Sequence, residues 1–201
     1  MDMPVNAEVR CTDGPGGKST YIVLKPNSEE VTHLVVREKG FPHVERLVPV
    51  SLVTESTPYL IRLRCTREEL AEQQAFFETE FIQVDIPRYT GGPFLMPIGE
   101  RESEQIPVQH EVVPWGEVAV RRGAFVEATD GRVGQVDEFL VDPTNEQITH
   151  LVLREGHLWG QKDVTIPASV IDRIEEDTVY LKLDKRSVGG LPTVPIRRRA
   201  A

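Results

Sequence analysis

The chain has 201 residues, 39% hydrophobic and 27% charged, with 15 Gly and 15 Pro. That balance fits one large or two small turn-rich folded domains and excludes a chain disordered throughout. Its 23 Lys and Arg against 32 Asp and Glu leave a net charge of −9, with no basic stripe to neutralise phosphates, so no direct nucleic-acid binding is expected.

No run of 18 apolar residues and no basic-then-apolar leader occurs, so the expectation is no membrane insertion and a cytoplasmic location. Two cysteines, Cys11 and Cys65, lack CxxC spacing and suit a reducing compartment. They stand at the start and end of the first module described next, near each other if that module closes on itself, and no disulfide is expected between them.

Residues 1–70 read as a first β module. The runs TYIVL, VTHLVV, RLVPV and LIRLRC are short, rich in β-branched or aromatic residues, and separated by Asp13-Gly14 and Pro26-Asn27-Ser28, which are turn signals. Gly14-Pro15-Gly16-Gly17-Lys18-Ser19 superficially matches a phosphate loop, but that motif needs four residues between its glycines and a helix after it. Gly14 and Gly17 enclose two residues and a strand follows, so the run is expected to be a hairpin turn.

Residues 71–116 differ in kind. Thr66-Arg67-Glu68-Glu69 is a capping box, and LAEQQAFF continues it into an amphipathic helix expected to end by Phe81. Prolines 87, 93, 97, 107 and 114 follow, in a segment holding two Lys or Arg against eight Asp or Glu. An acidic, extended linker between modules is the expectation. Its apolar cluster, Phe94 and Leu95 with Tyr89 and Met96, reads either as a partner-docking strip or as packing against the chain's own modules.

Residues 117–186 repeat the first module. A shift of 117 superposes Thr12/Thr129, Asp13/Asp130, Gly14/Gly131, Gly17/Gly134, Pro26/Pro143 and Thr32-His33-Leu34-Val35/Thr149-His150-Leu151-Val152. One inserted residue later, Pro49 matches Pro167 at a shift of 118. Between VLRE and DVTIP, the Gly-flanked stretch His157-Leu158-Trp159 is a candidate partner-binding anchor. The alternative is that Trp159 closes one end of its own module or packs on the other one, and the aromatic Phe41 in the matching first-module loop points to such a structural role. Residues 187–201 read as a tail, with Arg197, Arg198 and Arg199 in solvent.

The second-module pattern Ala128-Thr129-Asp130-Gly131, Gly134-x-Val136, Val141-Asp142-Pro143, the THLVL run and Val164-x-Ile166-Pro167 resembles the PRC-barrel family. That module is known from the cytoplasmic part of the photosynthetic reaction centre H subunit and the C-terminal barrel of a ribosome-maturation factor. The resemblance covers residues 117–186 well and the first module less well. It implies a mainly β fold of two small PRC-type β-barrels, joined by a short helix and a proline-rich linker, used for protein contacts without catalysis.

Nothing else in the sequence argues for chemistry. His33 and His150 are repeated strand histidines expected to pack where the modules meet and not to bind metal. Glu175-Glu176-Asp177 reads as a solvated turn, and no GxSxG or HExxH motif occurs. No catalytic residue, metal or other cofactor is therefore expected. The leading reading is a non-enzymatic adaptor presenting a composite surface of two barrels to a protein partner of unknown identity, with a homodimer also open. The alternative is a ribosome or RNA-processing accessory factor that binds a ribosomal protein, and an enzyme or small-molecule binder comes third, resting only on a cleft between the modules. The two modules are further expected to be bridged by the helix and the start of the linker, which would bury Phe76, Phe77, Phe81 and Ile82.

Overall fold

The computed structural model describes residues 2–89, 97–155, 162–175 and 177–191. The chain is mainly β. Strands β1 (Asp2–Pro4), β2 (Glu8–Cys11), β3 (Gly14–Lys25), β4 (Glu30–Glu38), β5 (Glu45–Pro49), β6 (Val53–Thr57) and β7 (Leu60–Leu63) lead into helix α1 (Arg67–Ala71). Then come β8 (Phe77–Tyr89), β9 (Pro97–Glu111), β10 (Val118–Arg121), β11 (Phe125–Ala128), β12 (Gly131–Val141), β13 (Ile148–Glu155), β14 (Lys162–Pro167), β15 (Ile171–Glu175), β16 (Thr178–Leu181) and helix α2 (Lys185–Gly189). Residues up to Phe76 and from Val113 onward form one compact unit, the body, and Phe77–Val112 form a second.

The body holds two sheets with the same strand order, β5-β4-β3-β2-β7-β6 and β14-β13-β12-β11-β16-β15. Registers correspond as well. His33 and Leu34 lie opposite Pro49 and Val48, and His150 and Leu151 lie opposite Pro167 and Ile166. The repeated glycine of each module has a steric cause, since a Cβ on Gly17 would stand 2.0 Å from the Arg37 carbonyl oxygen and one on Gly134 2.6 Å from that of Arg154. Only glycine lets the neighbouring strand come so close.

Among the described residues neither sheet closes into a barrel, which corrects the expectation of two small β-barrels. The end strands β5 and β6 are joined by a 3-10 turn at Val50–Leu52, and β14 and β15 by one at Ala168–Val170. Pro49 and Pro167 stand at the head of these turns. Lacking an N–H, a proline ends a strand readily and cannot donate to a closing ladder.

Each sheet is followed by a five-residue helix that packs on it. Thr66 caps α1 with the full capping box, and Asp184 caps α2 by accepting from the Ser187 amide. The Asp of each Thr-Asp-Gly turn accepts from the first helical amide: Arg67 N–H to Asp13 at 2.9 Å and Lys185 N–H to Asp130 at 2.8 Å. Leu70 and Val188 are the buried helix residues. Two expectations change accordingly. Helix α1 stops at Ala71 instead of reaching Phe81, because residues 74–76 pair with the β5 edge: Leu47 N–H donates to the Gln74 carbonyl and Phe76 N–H to that of Glu45. The supposed tail from residue 187 begins inside α2, whose Val188 belongs to the core.

The two sheets are tied together by exchanged first strands. β1, which precedes the first sheet, pairs with β12 of the second, setting Met3 opposite Phe139. β10, which precedes the second sheet, pairs with β3 of the first, setting Val120 opposite Ile22. These pairs are equivalent under the shift of 117, so the exchange is reciprocal, as about a local twofold axis. Glu30 bridges its own equivalent, Gln147, with Val31 N–H donating to the Glu146 carbonyl and Ile148 N–H to that of Glu29. Met3, Ile22, Leu24, Val31, Val120, Phe139, Ile148 and Leu151 share one core cluster. Each fully buried side chain of this kind contributes about 1.5–3 kcal/mol.

The second unit is a two-stranded antiparallel ribbon of β8 and β9, with Phe77 opposite Glu111 and Ile82 opposite Ile106. It replaces the expected extended linker. From Phe77 the sequence alternates, and a ribbon tolerates Pro87, Pro97 and Pro107 because both of its strands are edges.

Candidate protein-interaction surface

In the ribbon, residues directly opposite one another share a face. Ile82 opposes Ile106, with Val84 opposite Glu104 and Glu80 opposite Val108 on the same side, and Glu78 opposite His110 beyond them. One face is thus an apolar strip of Ile82, Ile106, Val84 and Val108 flanked by carboxylates. Phe81 is on the other face, opposite Pro107. Phe81 is 63% exposed, Ile82 41% and Ile106 40%. The expectation that Phe81 and Ile82 would be buried in a bridge between the modules is therefore corrected. Phe76 is buried, but in the body, with its ring 4.9 Å from that of Tyr21. The unit carries two Arg against seven Asp or Glu.

The other residues expected to bind a partner, His157, Leu158, Trp159, Phe94 and Leu95, lie outside the described residues, as do Arg197, Arg198 and Arg199. Phe41, which pointed to a packing role for the Trp159 loop, is 93% exposed, with the His43 ring edge-on to it at 6.3 Å. Trp115 is fully exposed and was passed over in the sequence, although a Trp before a turn glycine, Gly116 at φ 79°, carries the same signal as Trp159.

His33 is half-buried where β10 approaches the first sheet. Its Nδ1 lies 3.0 Å from Thr32 Oγ1 and 3.7 Å from Glu117 Oε2, and the Thr32 hydroxyl donates to Glu117 at 2.5 Å. Burial holds the His33 pKa below its usual 6.5 against the opposing pull of Glu117. Folding thus disfavours the proton that the unfolded chain accepts, so the neutral ring's stability contribution is complete above the unfolded value and is lost as pH falls from there through the folded one. Wild-type protein should lose more thermal stability between pH 7 and pH 5 than His33→Gln does, and equal slopes in the two melting series would contradict this. His150 occupies the equivalent place in β13, opposite Leu140 and Pro167.

Among the buried polar groups, Asp137 is paired twice. Asp137 Oδ1 accepts from Arg122 Nη2 at 2.5 Å and from Arg154 Nη2 at 2.7 Å. Cys11 and Cys65 are buried, free and in contact. They are brought together by the parallel pairing of β2 with β7. Burial, followed by the neighbouring Cys65, pushes the Cys11 thiol up from 9.0 to about 12, which keeps it protonated and unreactive at neutral pH. Among the described residues no helix is long and apolar enough to cross a membrane, and no three His, Cys, Asp or Glu are grouped to hold a metal.

Compared with known proteins, residues 122–188 match the family model described as the PRC-barrel domain. A search of curated proteins finds no match.

Proposed function

We propose, from the PRC-barrel domain that the protein carries at residues 122–188, that the chain is a non-enzymatic adaptor acting in the cytoplasm. The PRC-barrel domain is a general protein-interaction module. In this reading the first sheet is a second copy of that module, as the shared strand order and registers support. The two copies form the one compact body, and the ribbon is the element that reaches a partner.

The observation that carries the reading is the ribbon's exposed Ile82, Ile106 and Phe81 among acidic residues. A two-stranded ribbon is marginal in water by itself, and an apolar strip rimmed by charge is the anatomy of an interface. The acidic rim favours a partner with basic residues around an apolar surface. Affinity capture with wild-type chain and with Ile82→Glu/Ile106→Glu is the test. A partner retained by the wild type and lost from the variant, whose body still melts normally, is the expected outcome. A ribosomal protein as that partner would favour a ribosome accessory role, and a membrane complex an assembly adaptor. Capture that the variant leaves unchanged would remove the ribbon from the account.

A further inference from the structure

The first module carries a pocket of about 400 Å³. It is lined by Lys18 of β3, Arg37 and Glu38 of β4, Lys39 just beyond β4, His43, and Glu8 of β2. Lys18 is opposite both Glu8 and Arg37 across the ladders, so these side chains lie in one row on one face of the sheet.

The carboxylates of the pocket are already engaged, Glu38 by Arg46 at 2.5 Å and Glu8 by Arg10 at 3.0 Å. Arg37 gives Nε and Nη2 to Glu45, both at 2.7 Å, and keeps Nη1. Among the described residues Lys18 and Lys39 have no ion-pair partner. His43 places Nδ1 3.1 Å from the Glu38 carbonyl oxygen and has Nε2 to spare. The net result is a concave, cation-rich surface on a chain whose total charge is −9.

The second module keeps Arg154 at the place of Arg37 but lacks both lysines, because Gln135 stands at the place of Lys18 and Gly156 at that of Lys39. Shared architecture therefore does not explain them.

We infer that this pocket binds the dianionic phosphate group, free or carried on a small ester. Lys18, Lys39 and the free edge of Arg37 supply charge-assisted hydrogen bonds to its oxygens. The device is unlike a phosphate loop, since Gly14–Lys18 lie within strand β3 and the contacts come from side chains. A pocket of this volume is of the size that small ligands use.

The test is calorimetric titration of the full chain with inorganic phosphate and with phosphoserine in chloride buffer. Saturable one-to-one binding with Kd below about 1 mM is expected. Lys18→Gln/Lys39→Gln should weaken it at least about tenfold, whereas Lys182→Gln/Lys185→Gln, the same charge change on the second module, should leave it intact. Both pairs are on the surface, and their melting temperatures report whether the body is preserved. Tighter binding of phosphoserine than of inorganic phosphate would identify an ester as the natural ligand, and the reverse order the free ion. Absence of saturation at 10 mM of either probe (about tenfold above the expected limit), or equal weakening by the two variant pairs, would overturn the assignment.

Discussion

Residues 113–201 expressed alone are expected to form a homodimer. In the full chain β12 receives Asp2–Pro4 along its C-terminal half, while β10 lies on β3 of the other sheet. The fragment retains β10 and β12 and loses both of their partners, exposing Phe139 and Val120, which are fully buried in the full chain. Met3 and Val120 are equivalent under the repeat, so β10 of one fragment fits the β12 edge of a second, and twofold symmetry satisfies both edges at once. Light scattering should give a dimer whose melting temperature rises with concentration. A fragment that stays monomeric and melts with the full chain would show that the exchanged strands contribute nothing.

Phe139→Ala should be the most damaging single truncation in the body. Phe139 is fully buried in the cluster shared by both modules and opposes Met3 across the exchanged ladder. Removing such a ring costs about 3–5 kcal/mol, much of it from the cavity left behind. Against a total stability of about 5–15 kcal/mol, that would unfold a large share of molecules under mild denaturant. Phe81→Ser, on the exposed ribbon, should fall within about 0.5 kcal/mol of wild type. Urea titrations followed by near-UV and by far-UV circular dichroism should shift together for Phe139→Ala, as one cooperative body requires. If only half of the signal moved, the modules would be independent.

What could be read in advance was local. The turn residues and the Thr66 capping box depend on neighbours in sequence, and each reappears in the fold. Partner choice among equivalent edges was not legible. Asp2–Pro4 and Val118–Arg121 occupy the same place in the two modules, so either suits β3 or β12 sterically, and nothing local distinguishes its own sheet from the other.

The ribbon was misread for a related reason. Residues 70–77 carry a helical pattern, but the β5 edge offers ladder bonds to residues 74–76, and tertiary pairing overrides a short helix that is marginal on its own. The density of prolines then suggested an unpaired linker, although a strand that is always an edge accepts them. Carboxylate and lysine positions were visible, but which charges are already paired depends on cross-strand register. The Lys18 and Lys39 pocket therefore emerges only in three dimensions.

The two modules interlock around equivalent residues, Glu30 and Gln147, and not through a tether. These two form a non-hydrogen-bonded antiparallel pair, flanked by the Val31–Glu146 and Ile148–Glu29 bonds. Such pairs hold Cα atoms about 4.5 Å apart, inside the range a disulfide spans. The direct measurement is mild oxidation of the full chain carrying Glu30→Cys and Gln147→Cys, with Cys11 and Cys65 kept out of exchange by burial. A rapid intramolecular disulfide between residues 30 and 147 in the monomer, with a raised melting temperature, is the expected result. Free thiols at both positions, or cross-links only between chains, would contradict it.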